Sequence, residues 1–445
     1  MNAVRFLPSQ IGGRQSIPIH YTGSPLMLLW EDLGLVYRHL FSVRGIIMPW
    51  NVFKQDPFDE LFFSFRNIVA LITHMVLMFL QSVFLLSVPF LLIFPTWSSL
   101  LYIAGFLILN AFICTVVLNR GTTKLDSDPD IPVDPRFHSE AWVYLNGVSI
   151  GRDWLQANVD RLSLTFGRRV IGVHNPTAGI LFDLVQCLVQ RNFQYATQDV
   201  RDAYNLMKDM LLDENNKKVV FILHSQGGIE GGLIVDWLLD EIPQDRMEQL
   251  EVYTFGNAAN HFNNPYKSLG KLQSAESSRV IDKPGEPKDA STASSKKTKA
   301  IGYIEHYANQ GDFVSQFGVI NFAKFENRFM GRVFESPGSG HLLNQHYLHD
   351  MFPLNADRTR AMDESEFMDM EVHVEDTASG GARESMENSW AGAGGAGSGA
   401  TSEYAIMRNL TAFTSATGEA LPKRVMKVKD FSRLWQYRNG GSPKD

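Results

Sequence analysis

The hydrophobic pattern along the chain changes character twice. From Asn67 to Asn119 there is no Lys, Arg, Asp or Glu, and His74 is the only imidazole. The stretch divides into NIVALITHMVLMFLQSVFLLSVPFLLIF and SLLYIAGFLILNAFICTVVL around the joint PTWS. Each half reaches the roughly 20 apolar residues that cross a bilayer core as a helix. The pattern therefore predicts a transmembrane or re-entrant helical hairpin over 61–122. A pair of buried core helices is the plain alternative, and uncharged runs of this length disfavour it. Lys54 and Arg66 precede the uncharged stretch, Arg120 and Lys124 follow it, and the joint carries no charge. The positive-inside tendency then sets both outer ends in the cytosol. Spanning and re-entrant forms share this pattern, with Pro89 and Pro95 at or near the bend.

Upstream, over 1–60, GSPLMLLWEDLGLVYRHLF carries helix-start chemistry, with Ser24 as cap and Pro25 at the first helical position. Leu26, Leu29, Trp30, Leu33, Val36, Tyr37 and Leu40 recur at helical spacing, which suits a helix on a membrane surface or against the following domain. Downstream, DSDPDIPVDPRF is rich in proline and acid, and 123–137 reads as a linker.

From Glu140 onward short apolar runs alternate with helical patterns. AWVYLNG, RRVIGVHNPTAG, KKVVFILHS, QLEVYTFGN, AIGYIEHYAN and NRFMGRVFES read as strands. DWLQANVDRLSLTF, ILFDLVQCLVQRN, TQDVRDAYNLMKDMLLDE and LLNQHYLHDMF read as helices. This alternation predicts an α/β domain over 138–355, a mostly parallel sheet flanked by helices. Within it, 270–300 is polar and rich in Ser, Lys and Pro, the signature of a disordered insertion. The acidic and then Gly-rich run after Asn355 predicts a flexible tail over 356–445, although the aromatic end KVKDFSRLWQYRNGG has the composition of something that docks.

Composition narrows the functional classes. The 445 residues include 41 basic and 48 acidic side chains with no long basic run, which argues against a nucleic-acid partner. Cys114 and Cys187 are the only cysteines, and no His-Glu-x-x-His or cysteine pair occurs. No disulfide framework, metal site or cofactor is therefore expected.

FILHSQGGIEGG, residues 221–232, holds the candidate chemistry. An apolar strand runs into Ser225, then Gly227 and Gly228, then a helical pattern. A serine on such a turn projects at the positive end of the helix. The usual nucleophile turn has glycine two residues before the serine as well as two after; here Leu223 takes the earlier place. A serine hydroxyl needs a base within reach and a group to orient that base. Asp312 in ANQGDFV and His341 in GSGHLLN each follow a predicted strand, and His346 is the alternative base. The plain readings are a serine beginning a helix and an acid in a turn. His224 reads as a packed neighbour, His306 as a strand residue, and His174 and Asn175 as strand-ending or pocket residues.

LHSQGG, VYTFGNAAN, NQGDFV and GSGHLLNQHY, in this order, give residues 138–355 a pattern that resembles the alpha/beta-hydrolase superfamily, in particular lipase-like serine esterases. The resemblance implies Ser225 as nucleophile, His341 as base and Asp312 as its partner. It also implies an oxyanion hole from the backbone N–H of Gln226 and one near Gly147 or Val148. Leu223 departs from the family pattern. Together with the hairpin this leads to the expectation of a membrane-anchored serine hydrolase acting on a lipid or acyl ester. Its expected place is the endoplasmic reticulum or lipid-droplet surface, with termini and catalytic domain cytosolic. The rival expectations are a catalytically inactive hydrolase-like protein that binds lipid or protein, a hydrolase of thioesters or peptide amides, and a structural hairpin protein.

Overall fold

A computed structural model describes residues 3–7, 24–50, 55–265, 267, 299–325, 328–374 and 426–443. Of the expected insertion 270–300, all but Lys299 and Ala300 lies outside the described residues, as do 375–425 of the expected tail.

Strand β1 is Ala3–Leu7 and helix α1 is Pro25–Arg38, preceded by Ser24 in extended conformation. Helices α2, Phe65–Ser87, and α3, Thr96–Ile113, form the hairpin. Ser64 caps α2 by accepting from the Asn67 N–H at 3.2 Å. A 3-10 turn, Val88–Ile93, and a π turn, Cys114–Leu118, extend the two arms. Phe65–Ile93 and Thr96–Leu118 are thus long and apolar enough to cross a membrane, and only 17% and 11% of their most apolar windows are buried. A core helix of a soluble domain would be mostly covered; these apolar faces are open.

The remaining strands are β2, Lys124–Asp126; β3, Glu140–Leu145; β4, Val170–Val173; β5, Lys218–His224; β6, Leu250–Phe255; β7, Tyr303–Asn309; β8, Arg332–Ser336; and β9, Glu371–Val374. They form one nine-stranded sheet in the order β2-β4-β3-β5-β6-β7-β8-β1-β9. The run from β4 to β8 is parallel, while β2 and β1 pair antiparallel with β4 and β8. The protein is therefore mixed α/β with a mostly parallel sheet. Its central strands read as unbroken apolar runs because both faces are covered. Helices α4, Arg152–Phe166; α5, Ile180–Phe193; α6, Gln198–Leu212; and α7, Gly227–Glu241, lie on the two faces. One core joins the sheet to α1, α5, α6 and α7. The other joins it to α4, Leu343–Leu348 and residues 428–437. Strand β3 has β4 on one side and β5 on the other, so the chain order reverses there. Crevices outside the carboxyl ends of strands at such a reversal are where open α/β sheets place ligand sites.

Three segments differ from the sequence expectation. The first 60 residues are not separate from the domain, since β1 joins the sheet. The expected linker 123–137 supplies β2, which pairs with β4, and Phe137, which lies 3.6 Å under the Arg168 guanidinium. The expected flexible tail, 356–445, contributes β9 beside β1 and a buried segment at 426–443. The reason lies in two acids inside strands. Glu251 of β6 and Glu305 of β7 are buried, and a buried carboxylate requires partners. Arg433 supplies them: its guanidinium pairs with Glu251 at 2.8 Å and its backbone N–H donates to Glu305 at 2.9 Å. Tyr437 donates to Glu251 at 2.8 Å.

Removing the Arg433 charge leaves Glu251 with Lys218, 3.7 Å away, as its remaining cation. Arg433→Met is expected to destabilise the protein by about 3–5 kcal/mol, the usual cost of breaking a buried pair from one side. A lowered urea midpoint of the full chain in mild detergent checks this.

Candidate active site

Strand β5 delivers Ser225 to the carboxyl-end rim of the sheet. Ser225 has φ of 59°, in the left-handed region that a residue with a side chain occupies only when its surroundings enforce it. The enforcement is visible: the Ser225 N–H donates to the Phe255 carbonyl at 3.0 Å, and the Ser225 carbonyl accepts from Gly228 and Ala258. Helix α7 starts at Gly227, directly after Gln226. Gly147, in the loop after β3, lies over the serine, and a Cβ there would fall 2.9 Å from the Ser225 hydroxyl oxygen. The backbone N–H groups of Gly147, Val148 and Gln226 find no acceptor among the described residues. They are available to a negative oxygen forming beside Ser225.

Leu223 is accommodated one turn into α7. Its buried side chain fills the space where a Cβ on Gly231 would stand. A glycine inside the helix thus makes room for the leucine at the end of the strand.

His341 and Asp312 come from the loops after β8 and β7. His341 Nδ1 donates to Asp312 Oδ2 at 2.9 Å, with both side chains buried. The His341 ring stacks on that of His224, the residue before the serine, with centroids 4.7 Å apart. His224 Nε2 donates to the His341 carbonyl at 2.8 Å, tying the histidine loop to the end of β5. His341 Nε2 is buried and has no hydrogen-bond partner among the described residues. Gly256, at φ of 53°, makes room for the pair: a Cβ there would lie 2.8 Å from His341 Nδ1 and 2.9 Å from Asp312 Oδ2.

Asp312 Oδ1 accepts from the Val314 N–H, and Oδ2 accepts from Ser315 Oγ and Tyr347 OH as well as from His341. Burial opposes ionisation, but the His341 ring and these hydroxyls outweigh it and hold the carboxyl below its ordinary value. Asp312 is therefore a carboxylate at neutral pH, fit to fix the imidazole tautomer. Ser315 and Tyr347 escaped sequence reasoning. Only the spacing of Ser315 three residues after Asp312, one helical turn, hinted at its contact.

His346, the alternative base, is committed elsewhere. Its Nδ1 accepts from the Leu342 N–H at 3.0 Å and its Nε2 donates to the Pro49 carbonyl at 3.0 Å. His306 bridges Thr254 and the Met330 carbonyl, and His174 donates to the Ile150 carbonyl. Asn175 binds Gln226 and Glu230 side chains at 3.0 Å, and its N–H donates to Asn146 at 2.8 Å. This buried amide network joins the loop bearing Gly147 to the start of α7. No cluster of metal-ligating side chains occurs among the described residues. No protein-family model, curated protein or solved structure matches the chain.

Two outcomes follow from this packing. Alanine is the better helix former by about 1 kcal/mol, yet Gly231→Ala is expected to cost about 1–3 kcal/mol through overpacking against Leu223. Adding Leu223→Ala should recover part of that loss in a double-mutant cycle read by urea unfolding. Burial also holds His224 at about 3, with the neighbouring His341 adding to the effect, and holds His306 and His346 at about 4. The unfolded chain takes up these protons below about pH 6.5. Their stabilising contribution is complete above that value and declines as the pH falls toward 4. Buried Asp59 and Asp350, held up at about 7, act in the opposite sense over the same range, so the histidine contribution is isolated by substitution: the unfolding midpoint of His306→Asn in detergent, taken relative to wild type, should be higher at pH 5 than at pH 7.5.

Proposed function

We infer that this chain is a membrane-anchored serine hydrolase of the alpha/beta-hydrolase type that cleaves a lipid or other acyl ester. One observation carries the reading: a buried imidazole, oriented by Asp312 at 2.9 Å and stacked beside the residue preceding Ser225, keeps its Nε2 unpaired. A buried polar nitrogen without a partner calls for an explanation, and a role in proton transfer is one.

In this reading Ser225 Oγ attacks the acyl carbonyl while His341 Nε2 takes the hydroxyl proton. Asp312 keeps Nδ1 protonated and stabilises the imidazolium. The oxyanion is met by the N–H of Gln226 and by that of Gly147 or Val148. Collapse expels the alcohol, which receives the proton from His341, and leaves an acyl-serine. Water, deprotonated by His341, then releases the acid and restores Ser225. The open apolar hairpin supports a membrane location and so an acyl-chain substrate. The charge asymmetry of its flanks supports a cytosolic domain, on the endoplasmic reticulum or a lipid droplet.

A fluorophosphonate probe tests the chemistry, since attack by an activated serine forms an O–P bond and releases fluoride. The full chain in mild detergent should be labelled, Ser225→Ala should not, and His341→Ala or Asp312→Asn should lower turnover of a p-nitrophenyl acyl ester by about 10⁴-fold. Folded protein without Ser225-dependent labelling would sink the enzyme reading and leave an inactive, lipid- or protein-binding relative of the fold. A panel of acyl esters against thioesters and peptides assigns the substrate.

A further inference from the structure

Polar side chains halfway along the hairpin fasten it to the sheet domain. Gln81 of α2 and Asn110 of α3 are buried and bond to each other at 2.9 Å. Both donate to the Ala178 carbonyl, at 2.7 and 2.9 Å, and Gln81 Oε1 accepts from the Leu181 N–H. Closer to the helix ends, His74 donates to the Ser149 carbonyl and Asn119 holds Thr177 through both its amide atoms. The loop so gripped follows β4 and leads into the first turn of α5, where Asp183, a buried carboxyl, accepts from Ser149, Thr177 and Ala178. Past this latch Phe182 still touches Phe84 and Phe106, edge-on at 6.0 Å.

The latch sets a depth. From Gln81 to Ile93 the arm continues for about 18 Å, and from Thr96 to Asn110 for about 21 Å, at 1.5 Å per helical residue. The hydrocarbon core is roughly 30 Å thick. If the joint reached the far surface, the Ala178 loop with Asp183 would sit inside the hydrocarbon. A lipid-facing irregular loop is not tolerated there. Serine hydroxyls beyond the latch are answered within the hairpin, as a hydrocarbon setting favours: Ser87 bonds Tyr102 at 2.9 Å, Ser98 donates to the Pro95 carbonyl, and Ser99 donates to the Leu91 carbonyl.

Neighbouring elements present apolar side chains around the same rim. Helix α5 packs between α2 and α1, and α1 is pinned to it by the buried Asp32–Arg191 pair at 2.8 Å. Trp30 and Tyr37 on α1 and Val185 and Phe193 on α5 are exposed. Residues 40–50 form a strap whose 45–49 part crosses the catalytic loops: the Ile46 carbonyl accepts from the His341 N–H, and Ser339 donates to the Met48 carbonyl. On this strap Phe41 is 90% exposed, while Ser225 beneath the rim is 3% exposed.

We propose that the hairpin does not cross the bilayer but enters one phospholipid leaflet together with α1, the 40–50 strap and α5, so that the rim bearing Ser225 rests at headgroup level and receives its acyl chain from that leaflet. The occupant of the apolar face is the acyl layer of the leaflet. This rests on the membrane anchoring proposed above and not on the ester chemistry.

The test uses the full chain in sealed phosphatidylcholine vesicles, with the buried Cys114 and Cys187 of the wild type as background. Ser98→Cys, in the joint, should resist a membrane-impermeant maleimide supplied on either side and react once detergent is added. Environment-sensitive fluorophores on Phe41→Cys and Val185→Cys should be quenched by lipid carrying a nitroxide near the headgroup. One on Asn215→Cys, before β5 at the opposite rim, should not. Labelling of Ser98→Cys from the face opposite the domain would overturn the one-leaflet arrangement while leaving the anchor intact. Unquenched Phe41 and Val185 probes in bound protein would overturn the immersed rim. Failure to float with vesicles would remove both the anchor and this inference, and fluorophosphonate labelling would still report on the chemistry.

Discussion

A carboxylate without solvent contact organises the rim of this sheet. Asp312 is fully buried and ionised, a state tolerated only when its lone pairs are met by donors. Four groups meet them: Val314 and Ser315 from its own turn, His341 from the next loop, and Tyr347 one turn beyond. Each donor fixes a segment. Tyr347 also accepts from the Asn309 N–H at the end of β7, and the turn that bears it is held by Glu60, which accepts from Asn344 and Gln345. The requirement of one anion thereby reaches from the histidine loop to the chain just ahead of the hairpin.

Close approach is the second constraint, and it acts through absent side chains. Gly147 lets the loop after β3 lie over Ser225, Gly256 leaves room for the Asp312–His341 pair, and Gly231 receives Leu223. Leu223 and Gly231 are two sides of one packing problem: the leucine at the end of β5 fits because the facing turn of α7 carries no side chain. Such compensation costs helix propensity at Gly231 and gains dense packing against the strand.

The hairpin shows how polar groups survive in an apolar segment. Gln81 and Asn110 interrupt otherwise lipid-compatible faces, and both are turned onto a loop whose carbonyl and N–H they satisfy. The same contacts join the two halves of the molecule. The hairpin and the strap both lean on loops at the carboxyl ends of the strands, the rim that also carries Ser225, Asp312 and His341. Hairpin and candidate chemistry therefore share one side of the sheet.

Much of this was legible from the chain alone, for local reasons. Strands β3 to β8 announce themselves as apolar runs because parallel strands are buried on both faces, and the hairpin because lipid admits no charge. The serine turn is visible through Gly227 and Gly228, and the order of the Asp312 and His341 loops through the strands before them. Strands β1, β2 and β9 lie outside the parallel run and are short and interrupted by charge, so no apolar run announces them, and the docking of Arg433 on Glu251 joins positions far apart in sequence. The exchange between Leu223 and Gly231 and the partnership of Tyr347 with Asp312 likewise required the tertiary structure. The sequence determines what each segment prefers to be, since period, charge and turn chemistry act over a few residues. Which segments meet is decided by the fold, because burial and hydrogen-bond satisfaction are settled among neighbours in space.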